Sequence, residues 1–309
     1  MTAQDQEAFA ALFRTCTGRH FPAGLLPGKY TAPDGPPFMA HMAFNAHGEA
    51  VAALGLMGHW LQRGDRRIRA AQAVDAITLP AYRRQGLFRR LVQANEALAR
   101  EAGVDLLFGF AQHERGSAVG LRNMGWTASA PLLHHAWATS VPPGQRVLRR
   151  LAPARAARRR ETVLKEAAVS PGTLDEAAMA GTLFARADAW HAVRDRDALH
   201  GRAGPGPLVL RVPGGHAWAS VRDREMRIGD LFGPDHQALL KATIALAGRI
   251  GCDTVALVGA VDHALDDLLR RLPAMVRPTG GEVLRKPLST RAPADHEPVL
   301  FTSGDADTF

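Results

Sequence analysis

Apolar positions recur with two different periods along this chain, and each change of period marks a predicted element. Residues 4–14 carry apolar side chains at helical spacing. The stretches MAFNAHGEAVAALGLMGHW and IRAAQAVDAITL are strand-like, with turn-forming residues near 46–49 and 63–66. This pattern predicts one helix followed by three strands.

A further change of period follows at residues 79–92, LPAYRRQGLFRRLV. Leu87, Leu91 and Leu98 recur at helical spacing, and Gly103 suits the left-handed residue that ends a helix. The next stretch, VDLLFGFA, is short and apolar, which is typical of a buried strand. Strand, helix and strand in this order predict a parallel strand pair.

The second half of the chain repeats this order of elements. Three strand-like stretches, LVLRVP, HAWASVRD and MRIGDLFG, precede a helix at about 235–249, the buried strand DTVALVG and a helix near 262–271. We therefore predict an α/β protein with an internal duplication. The predicted boundaries are a first domain at 1–140, a basic linker at 141–172 and a second domain at 173–309.

Composition narrows the classes of partner. With 309 residues, 46% of them hydrophobic, the chain can bury a sizeable core, and its formal net charge of +8 favours an anionic partner. That partner is a nucleotide cofactor, a nucleic acid or an anionic membrane surface. The start lacks a secretory signal pattern, no apolar run predicts a membrane span, and two distant cysteines support neither a disulfide framework nor a metal site. We expect a cytoplasmic protein without a metal.

The arginine-rich segment at 141–172 has three interpretations. It can be an inter-domain helix with a solvated face, a nucleic-acid-binding arm or a membrane-surface helix. The segment has no interleaved aromatic residues for base stacking and no Trp or Phe for membrane anchoring, which favours the linker interpretation. A nucleic-acid partner is therefore not the favoured one.

The junction at residues 79–92 has the chemistry of a phosphate site. A helix N-terminus carries unpaired amides and partial positive charge, a glycine allows close approach of the backbone, and arginines add charge-assisted contacts. These features predict a pyrophosphate site, although the junction is neither the Walker lysine loop nor the dinucleotide G-x-G-x-x-G. The corresponding junction between strand and helix in the second half, GDLFGPDHQALL, has no arginine cluster. If the halves are related, only the first has the residues for a phosphate site.

VDAITLPAYRRQGLFRRLVQ resembles the coenzyme A motif of the GCN5-related N-acetyltransferase (GNAT) superfamily, [RQ]-x-x-G-x-[GA]. Arg83 and Gly86 fit the motif, and Phe88 stands where a small residue is usual. LLFGFAQHERGSAVGLRNMGW resembles the superfamily's next strand and helix, with a closing signature from Arg122 to Trp126. Together the two matches cover about residues 45–130.

The resemblance implies two tandem GNAT-like domains, the second degenerate. Each would have a mixed, mostly antiparallel sheet with a splayed parallel strand pair, flanked by helices. In the first domain, one strand would pair with the pantetheine of acetyl-CoA or another acyl-CoA, the next loop would hold its pyrophosphate, and two polar residues would approach its far side. The implied cofactor-binding residues are Ile77, Thr78, Leu79, Arg83, Arg84, Gln85, Gly86, Leu87, Phe88, Gln112 and Ser117.

The resemblance also implies acyl transfer to the amine of a small molecule, without a strict need for a protein base. Asp75, on the strand before the loop, and His59 are the catalytic candidates. Gln72 falls where some members have a catalytic glutamate and cannot accept the proton, and Leu121 stands where many have a tyrosine. The alternatives are a non-catalytic acyl-CoA sensor and a protein that binds nucleic acid through its basic linker.

Three further segments are candidates for acceptor contacts. They are the Pro- and Gly-rich loop at 20–37, the polar segment at 190–202, and the C-terminal residues Asp305 and Asp307. Each also has a purely structural interpretation, as packing, a solvated helix or a frayed terminus. The sequence indicates no oligomeric state.

Overall fold

The structure is a computed structural model, and it describes residues 3–18, 20, 41–112, 116–170, 174, 179, 181–194, 199, 207–302 and 305. This part of the chain contains both helices and strands. The helices are α1 (Ala3–Thr17), α2 (Leu87–Glu101), α3 (Gly116–Arg122), α4 (Pro143–Leu151), α5 (Pro153–Ala167), α6 (His236–Arg249) and α7 (His263–Arg270). The strands are β1 (His41–Phe44), β2 (Ala50–Arg63), β3 (Arg66–Thr78), β4 (Leu106–Gln112), β5 (Thr127–Ala138), β6 (Ala168–Val169), β7 (Trp190–Ala192), β8 (Pro207–Val212), β9 (Gly215–Arg222), β10 (Glu225–Phe232), β11 (Thr254–Ala260), β12 (Met275–Pro287) and β13 (Val299–Thr302).

The chain forms two compact units that are not contiguous in sequence. Unit 1 comprises Met1–Ser129 and Gly280–Glu297, and unit 2 comprises Ala130–Thr279 and Pro298–Phe309. The predicted boundaries placed residues 280–297 in the second domain. They lie in unit 1 because residues 281–287 of β12 pair antiparallel with the whole of β4. Periodicity along a strand does not reveal which sheet the strand joins.

Unit 1 contains a sheet covered by helices on both faces. β1 pairs with β2, β2 with β3 and β4 with β12 in antiparallel ladders, whereas β3 and β4 are parallel. Neighbouring residues of β2 point to opposite faces of the sheet. Ala53 packs with Phe9 and Leu12 of α1, and Leu54 packs with Leu91 of α2. The parallel pair predicted from the order of elements is therefore present.

Unit 2 has a similar arrangement around its own core. β5, β11, β10, β9 and β8 follow one another across its sheet, and only the β10–β11 pair among these neighbours is parallel. Buried side chains from these strands and from α6 and α7 form a large core cluster, which includes Trp137, Ile228, Leu240, Val255 and Leu269. The repeated order of elements predicted from the sequence is present in the two units.

The segment predicted as a basic linker is an integral part of unit 2. It forms α4 and α5, and Val163 and Leu164 of α5 pack against the core of that unit. Arg149 of α4 donates to the Gly251 carbonyl at 2.9 Å and to Asp253 at 3.1 Å. Val163 and Leu164 stand among many charged residues in the sequence, which is why composition alone indicated a solvated linker.

Three negative observations hold within the described ranges. No helix there is long and apolar enough to cross a membrane. No group of three or more His, Cys, Asp or Glu side chains there could hold a metal ion. Cys16 and Cys252 are both free thiols.

Candidate functional site

The parallel strands β3 and β4 of unit 1 pair over only three rungs. The ladder runs from Ala70 opposite Leu106 to Gln72 opposite Phe108, although β3 continues to Thr78 and β4 to Gln112. Beyond Gln72, no described strand of unit 1 pairs with β3 on the side of β4. The two strands therefore separate and leave backbone groups on the facing edges available to a further extended segment.

A bulge at Asp75 bends β3 at this separation. Val74 lies opposite Gly55 and Ile77 opposite Ala53, so β3 has one residue more than β2 over this interval. Asp75 adopts a left-handed backbone conformation with a φ of 51°. Asn95 of α2 donates to the carbonyl of Leu54 at 3.1 Å and so pairs a buried acceptor opposite the bulge.

The end of β3 presents one residue toward the open edge. Leu79 donates its backbone N–H to Val51 on β2 at 2.9 Å. In an antiparallel ladder alternate residues pair with the neighbouring strand, so the backbone groups of Thr78 point the opposite way. The Arg83 side chain donates to the Thr78 carbonyl at 3.3 Å. Of the three residues predicted to pair with pantetheine, Thr78 therefore has the suitable backbone orientation.

The loop after β3 is fixed at its start and open at its end. A 3-10 turn spans Pro80–Tyr82, and Asn45 donates to the Tyr82 hydroxyl at 3.1 Å. Arg84 and Gly86 both have left-handed φ values, 63° and 75°. A Cβ added at Gly86 would meet nothing within 4 Å. The glycine meets a conformational requirement, and the space beside it is open.

The first turn of α2 is suited to an anion. Gly86 is its N-cap, no side chain of the described residues caps it, and the turn contains no acidic residue. The amides of its first residues lack partners within the helix. Arg83, Arg84, Arg89 and Arg90 are exposed around this end. Unpaired amides, the helix dipole and several cations together attract phosphate oxygens.

Phe88, where a small residue was expected from the resemblance, is accommodated by a glycine on the next helix. A Cβ added at Gly120 of α3 would lie 2.9 Å from the Phe88 ring. Phe88 is half-buried and packs against the unit 1 core, as does Leu87. The bulky ring therefore lies against α3. The sequence contained both residues but no signal that linked them.

The residues of the second sequence motif hold the strands and helices around this site together. Arg122 donates to both carboxylate oxygens of Glu282 on β12, at 2.5 and 2.7 Å. The indole of Trp126 donates to the buried carboxylate of Glu96 at 3.1 Å, and Lys286 donates to the same carboxylate at 2.8 Å. The two ion pairs, Arg122 with Glu282 and Lys286 with Glu96, connect the end of α3 and α2 to β12.

The two catalytic candidates are not brought together. His59 is buried in β2 opposite Ala70, with its ring edge-to-face against Phe108. Asp75 is partly exposed and lies five residues beyond Ala70 along β3, which corresponds to about 15 Å along the strand. The burial of His59 favours a packing role, whereas Asp75 lies where the strands have separated. The catalytic role of each stays a prediction.

Gln72 marks the point where the strands separate. Its side chain is 2% exposed, and its Oε1 has no hydrogen-bond partner among the described residues. A buried carbonyl oxygen without a donor costs free energy unless a ligand or water supplies one. This unpaired acceptor therefore lies at the last rung of the β3–β4 ladder, where the open edges begin.

The remaining predicted residues are only partly described. Ser117 is the second residue of α3 and is half-buried. Gln85 donates to the Ala81 carbonyl at 3.2 Å. Gln112 ends β4, and its side chain lies outside the described residues, as do almost all of the loop at 20–37, most of 195–202 and Asp307. Their predicted roles stay predictions.

The parallel strands β10 and β11 of unit 2 also pair over three rungs, from Glu225 opposite Thr254 to Arg227 opposite Ala256. Beyond this point the chain fills both edges itself. β13 pairs with Gly259 and Ala260 of β11, on the edge that β5 does not occupy. Thr182 forms a bridge with Phe232 of β10, on the edge that β9 does not occupy.

We call β13 the filling segment, because it occupies the free edge of β11. A buried ionic cluster lies next to its end, where Asp305 accepts from the backbone N–H of Thr302 at 2.8 Å. Arg194 donates to both oxygens of Asp305, one of them at 2.8 Å, and its Nε lies 3.2 Å from Asp230. Burial raises the pKa of Asp230 to about 7, although the positive charge of Arg194 opposes that shift. Two segments that the sequence suggested as acceptor contacts thus meet each other inside unit 2. Arg194 and Asp305 are buried and have a structural role here.

Comparison with solved structures identifies the architecture. A GCN5-related N-acetyltransferase from Anabaena variabilis matches over 93% of this chain and 71% of its own, with a TM-score of 0.55 and 12% sequence identity. The chain has a GNAT-like fold. A GCN5-related N-acetyltransferase from Kribbella flavida matches over 93% of this chain and 70% of its own, with a TM-score of 0.51 and 15% identity.

An Enterococcus faecalis protein described as a "probable N-acyltransferase" also matches. The match covers 93% of the present chain and 71% of the Enterococcus faecalis chain, with a TM-score of 0.57 and 11% identity. At such identities the likeness concerns the fold. No protein-family model matches the chain, and no curated protein sequence matches it significantly. The expected mixed α/β architecture is confirmed, and the chemistry rests on the residues of the site.

Proposed function

We propose that this protein is an acyl-CoA-dependent N-acyltransferase, in the simplest case an N-acetyltransferase that acts on a small-molecule amine. The observation that carries the proposal is the open edge of β3 directly before the uncapped, arginine-rich start of α2. One side of this site offers an extended backbone and the other an anion site. Acyl-CoA combines an amide-containing arm with a pyrophosphate and fits both.

The residues of unit 1 have distinct proposed roles in binding. Thr78 offers backbone groups to the pantetheine arm as an added strand. The amides from Arg84 to Phe88 face the pyrophosphate, and exposed arginines neutralise its charge. Unit 2 is the degenerate domain in this proposal, because its corresponding edges are paired with its own chain. We therefore propose one acyl-CoA site per chain.

The reaction is direct attack of a neutral amine on the thioester carbonyl. A carbon–nitrogen bond forms, the carbon–sulfur bond breaks, one proton leaves the amine and the departing thiolate takes up a proton. Alignment of the two reactants supplies much of the barrier reduction, about 7–11 kcal/mol in favourable systems. Asp75 is the proposed proton acceptor, because it is the partly exposed carboxylate on the separated part of β3.

Calorimetric titration with acetyl-CoA tests the binding site. We expect Gly86→Trp to weaken binding by about 100-fold or more, because the indole would occupy the open space beside the loop. Gly48→Trp is the matched control, since Gly48 also has a left-handed φ, 77°, and open space around it. Equal loss in both variants, or binding retained in Gly86→Trp, would contradict the proposed site.

Turnover with a panel of amines, followed by thiol release, tests the catalytic role of Asp75. We expect Asp75→Asn to lower kcat by about 10²–10⁴-fold, since an amide accepts no proton at neutral pH. Asn tolerates the left-handed conformation, so the backbone should persist. Asp223→Asn is the control, because Asp223 has the same conformation with a φ of 49°. An unchanged kcat in Asp75→Asn would remove this residue from the chemistry.

A non-catalytic acyl-CoA sensor is the second candidate. It is favoured by Gln72, an amide where a proton-accepting glutamate would serve catalysis, and by Leu121, which has no acidic proton. A sensor would bind acetyl-CoA but release no thiol above background with any amine. Turnover with a single amine, lost in Gly86→Trp, would exclude this candidate.

A further inference from the structure

The outward face of α4 combines basic and aliphatic side chains. Gln145 is buried, and Arg149 pairs with Asp253, so these residues define the inward face of the helix. Val147 and Leu151, one turn apart on the other face, are 56% and 77% exposed. Arg146 and Arg150 are exposed beside them. The helix therefore presents two aliphatic side chains and two arginines to the same side.

The first half of α5, which follows α4 directly, adds further exposed arginines. Arg160 donates to the Asp223 carbonyl at 2.6 Å, and Val163 packs against the core, so these residues face inward. Arg155, Arg158 and Arg159 are exposed. No acidic residue occurs from 143 to 160. We call the seven outward residues the basic face: Arg146, Val147, Arg150, Leu151, Arg155, Arg158 and Arg159.

The composition of the basic face distinguishes between anionic partners. Nucleic acid offers phosphates to the arginines but gives little to Val147 and Leu151, and the segment has no aromatic side chain for stacking bases. The segment also has no Trp or Phe for membrane anchoring, but an anionic bilayer offers phosphates to the arginines and an apolar interior to the exposed Val147 and Leu151. We propose that the basic face binds the surface of an anionic lipid bilayer.

In this proposal the two kinds of side chain lie at different depths of the bilayer. Arginine guanidinium groups stay at the level of the lipid phosphates while their aliphatic stems reach inward. Val147 and Leu151 then extend to the boundary of the acyl chains. The opposite faces of α4 and α5 remain packed on unit 2, so the bilayer contacts a surface that is already folded. Binding should depend on both lipid charge and the two aliphatic side chains.

Co-sedimentation of the full chain with lipid vesicles tests this proposal. We expect binding to phosphatidylcholine vesicles that contain about 30 mol% phosphatidylglycerol at about 0.1 M salt, and little binding to pure phosphatidylcholine. Arg146→Gln, Arg150→Gln and Arg155→Gln combined should weaken binding by about 100-fold, from roughly fivefold per arginine. The matched control combines Arg211→Gln, Arg249→Gln and Arg271→Gln, which removes the same charge from other exposed positions.

A second variant separates lipid insertion from charge attraction. Val147→Ser with Leu151→Ser retains every arginine and should weaken vesicle binding by about tenfold. Circular dichroism checks that each variant is folded. No binding to the anionic vesicles, or equal losses in the basic-face and control arginine variants, would overturn the proposal. It would also be overturned by DNA binding that needs the basic-face arginines together with vesicle binding that ignores the two serines, which would identify a nucleic-acid partner.

Discussion

The splayed strand pairs of the two units begin alike and end differently. In each unit two parallel strands pair over three rungs and then separate, β3 from β4 and β10 from β11. In unit 2 the separated edges are paired with β13 and with Thr182, whereas in unit 1 no described strand occupies them. An unpaired edge inside a fold requires a partner. Unit 2 supplies that partner from its own chain, and we propose that unit 1 takes it from acyl-CoA.

Glycines on the second strand of each pair reflect this difference. A Cβ added at Gly259 of β11 would lie 2.5 Å from the carbonyl oxygen of Phe301 on β13. A Cβ added at Gly109 of β4 would make ordinary contacts, the nearest at 3.8 Å with Ala73. Close approach of a protein strand requires the first glycine but not the second. Gly259 is therefore a sequence feature that the filled edge requires, but its role can be recognised only from the structure.

The largest expected effect comes from removal of the cation that holds the filling segment. Arg194→Met leaves the buried carboxylates of Asp305 and Asp230 without their partner. We expect the free energy of unfolding to fall by about 3–5 kcal/mol, measured by urea unfolding. Arg186→Met is the control, since Arg186 pairs with the more exposed Asp188 and Asp262. A similar loss in both variants would show that the buried cluster has no special role.

The next effect concerns the backbone contact at the filled edge. Gly259→Ala should lower the free energy of unfolding by about 3 kcal/mol, because β13 would have to move away from β11. Gly109→Ala should cost less than about 1 kcal/mol, since its added methyl finds room. Thermal unfolding of the two variants in parallel measures the difference. Equal costs would break the contrast between the filled and open edges.

A smaller effect is the pH dependence of the free energy of unfolding that comes from Asp230 in unit 2. The pKa of Asp230 is raised from its ordinary value of 3.8 to about 7. Between these values the folded protein binds one proton more than the unfolded chain, so this contribution to stability decreases as pH rises. It is fully present below about pH 4 and is lost through about pH 7, with a slope of at most about 1.4 kcal/mol per pH unit.

Asp230→Asn removes the proton exchange while it keeps the size of the side chain. Urea unfolding of the wild type and this variant at several pH values between about 4 and 8 isolates the contribution of Asp230. We expect a flatter dependence on pH in the variant across that window. Parallel curves for the two proteins would contradict the assigned direction of the pKa shift.

The elements of unit 1 could be predicted because their information is local. The apolar spacing of Leu87 and Leu91 and the terminating Gly103 correspond to α2 and the left-handed residue after it, with a φ of 70°. The junction around Gly86 was recognisable for the same reason, since its arginines, glycine and helix start are adjacent in sequence. Local patterns indicated where the strands, turns and helices lie.

The contacts that distinguish the two units could not be predicted because they join distant residues. Residues 281–287 pair with β4, more than 160 positions earlier, and Asp305 meets Arg194 across 111 positions. The contact between Phe88 and Gly120 likewise depends on how two helices pack. Each of these residues was compatible with several partners in the sequence. Tertiary packing selects one of them.

Hydrogen–deuterium exchange of the wild type with and without CoA tests the comparison most directly. We predict slower amide exchange at 73–79 and 84–90 in unit 1, because CoA pairs with the open edge and covers the start of α2. Exchange at 228–236 and 254–260 in unit 2 should not change, and Gly86→Trp should show no protection in unit 1. Protection of the unit 2 strands, or CoA binding without protection at 73–79 and 84–90, would contradict the account.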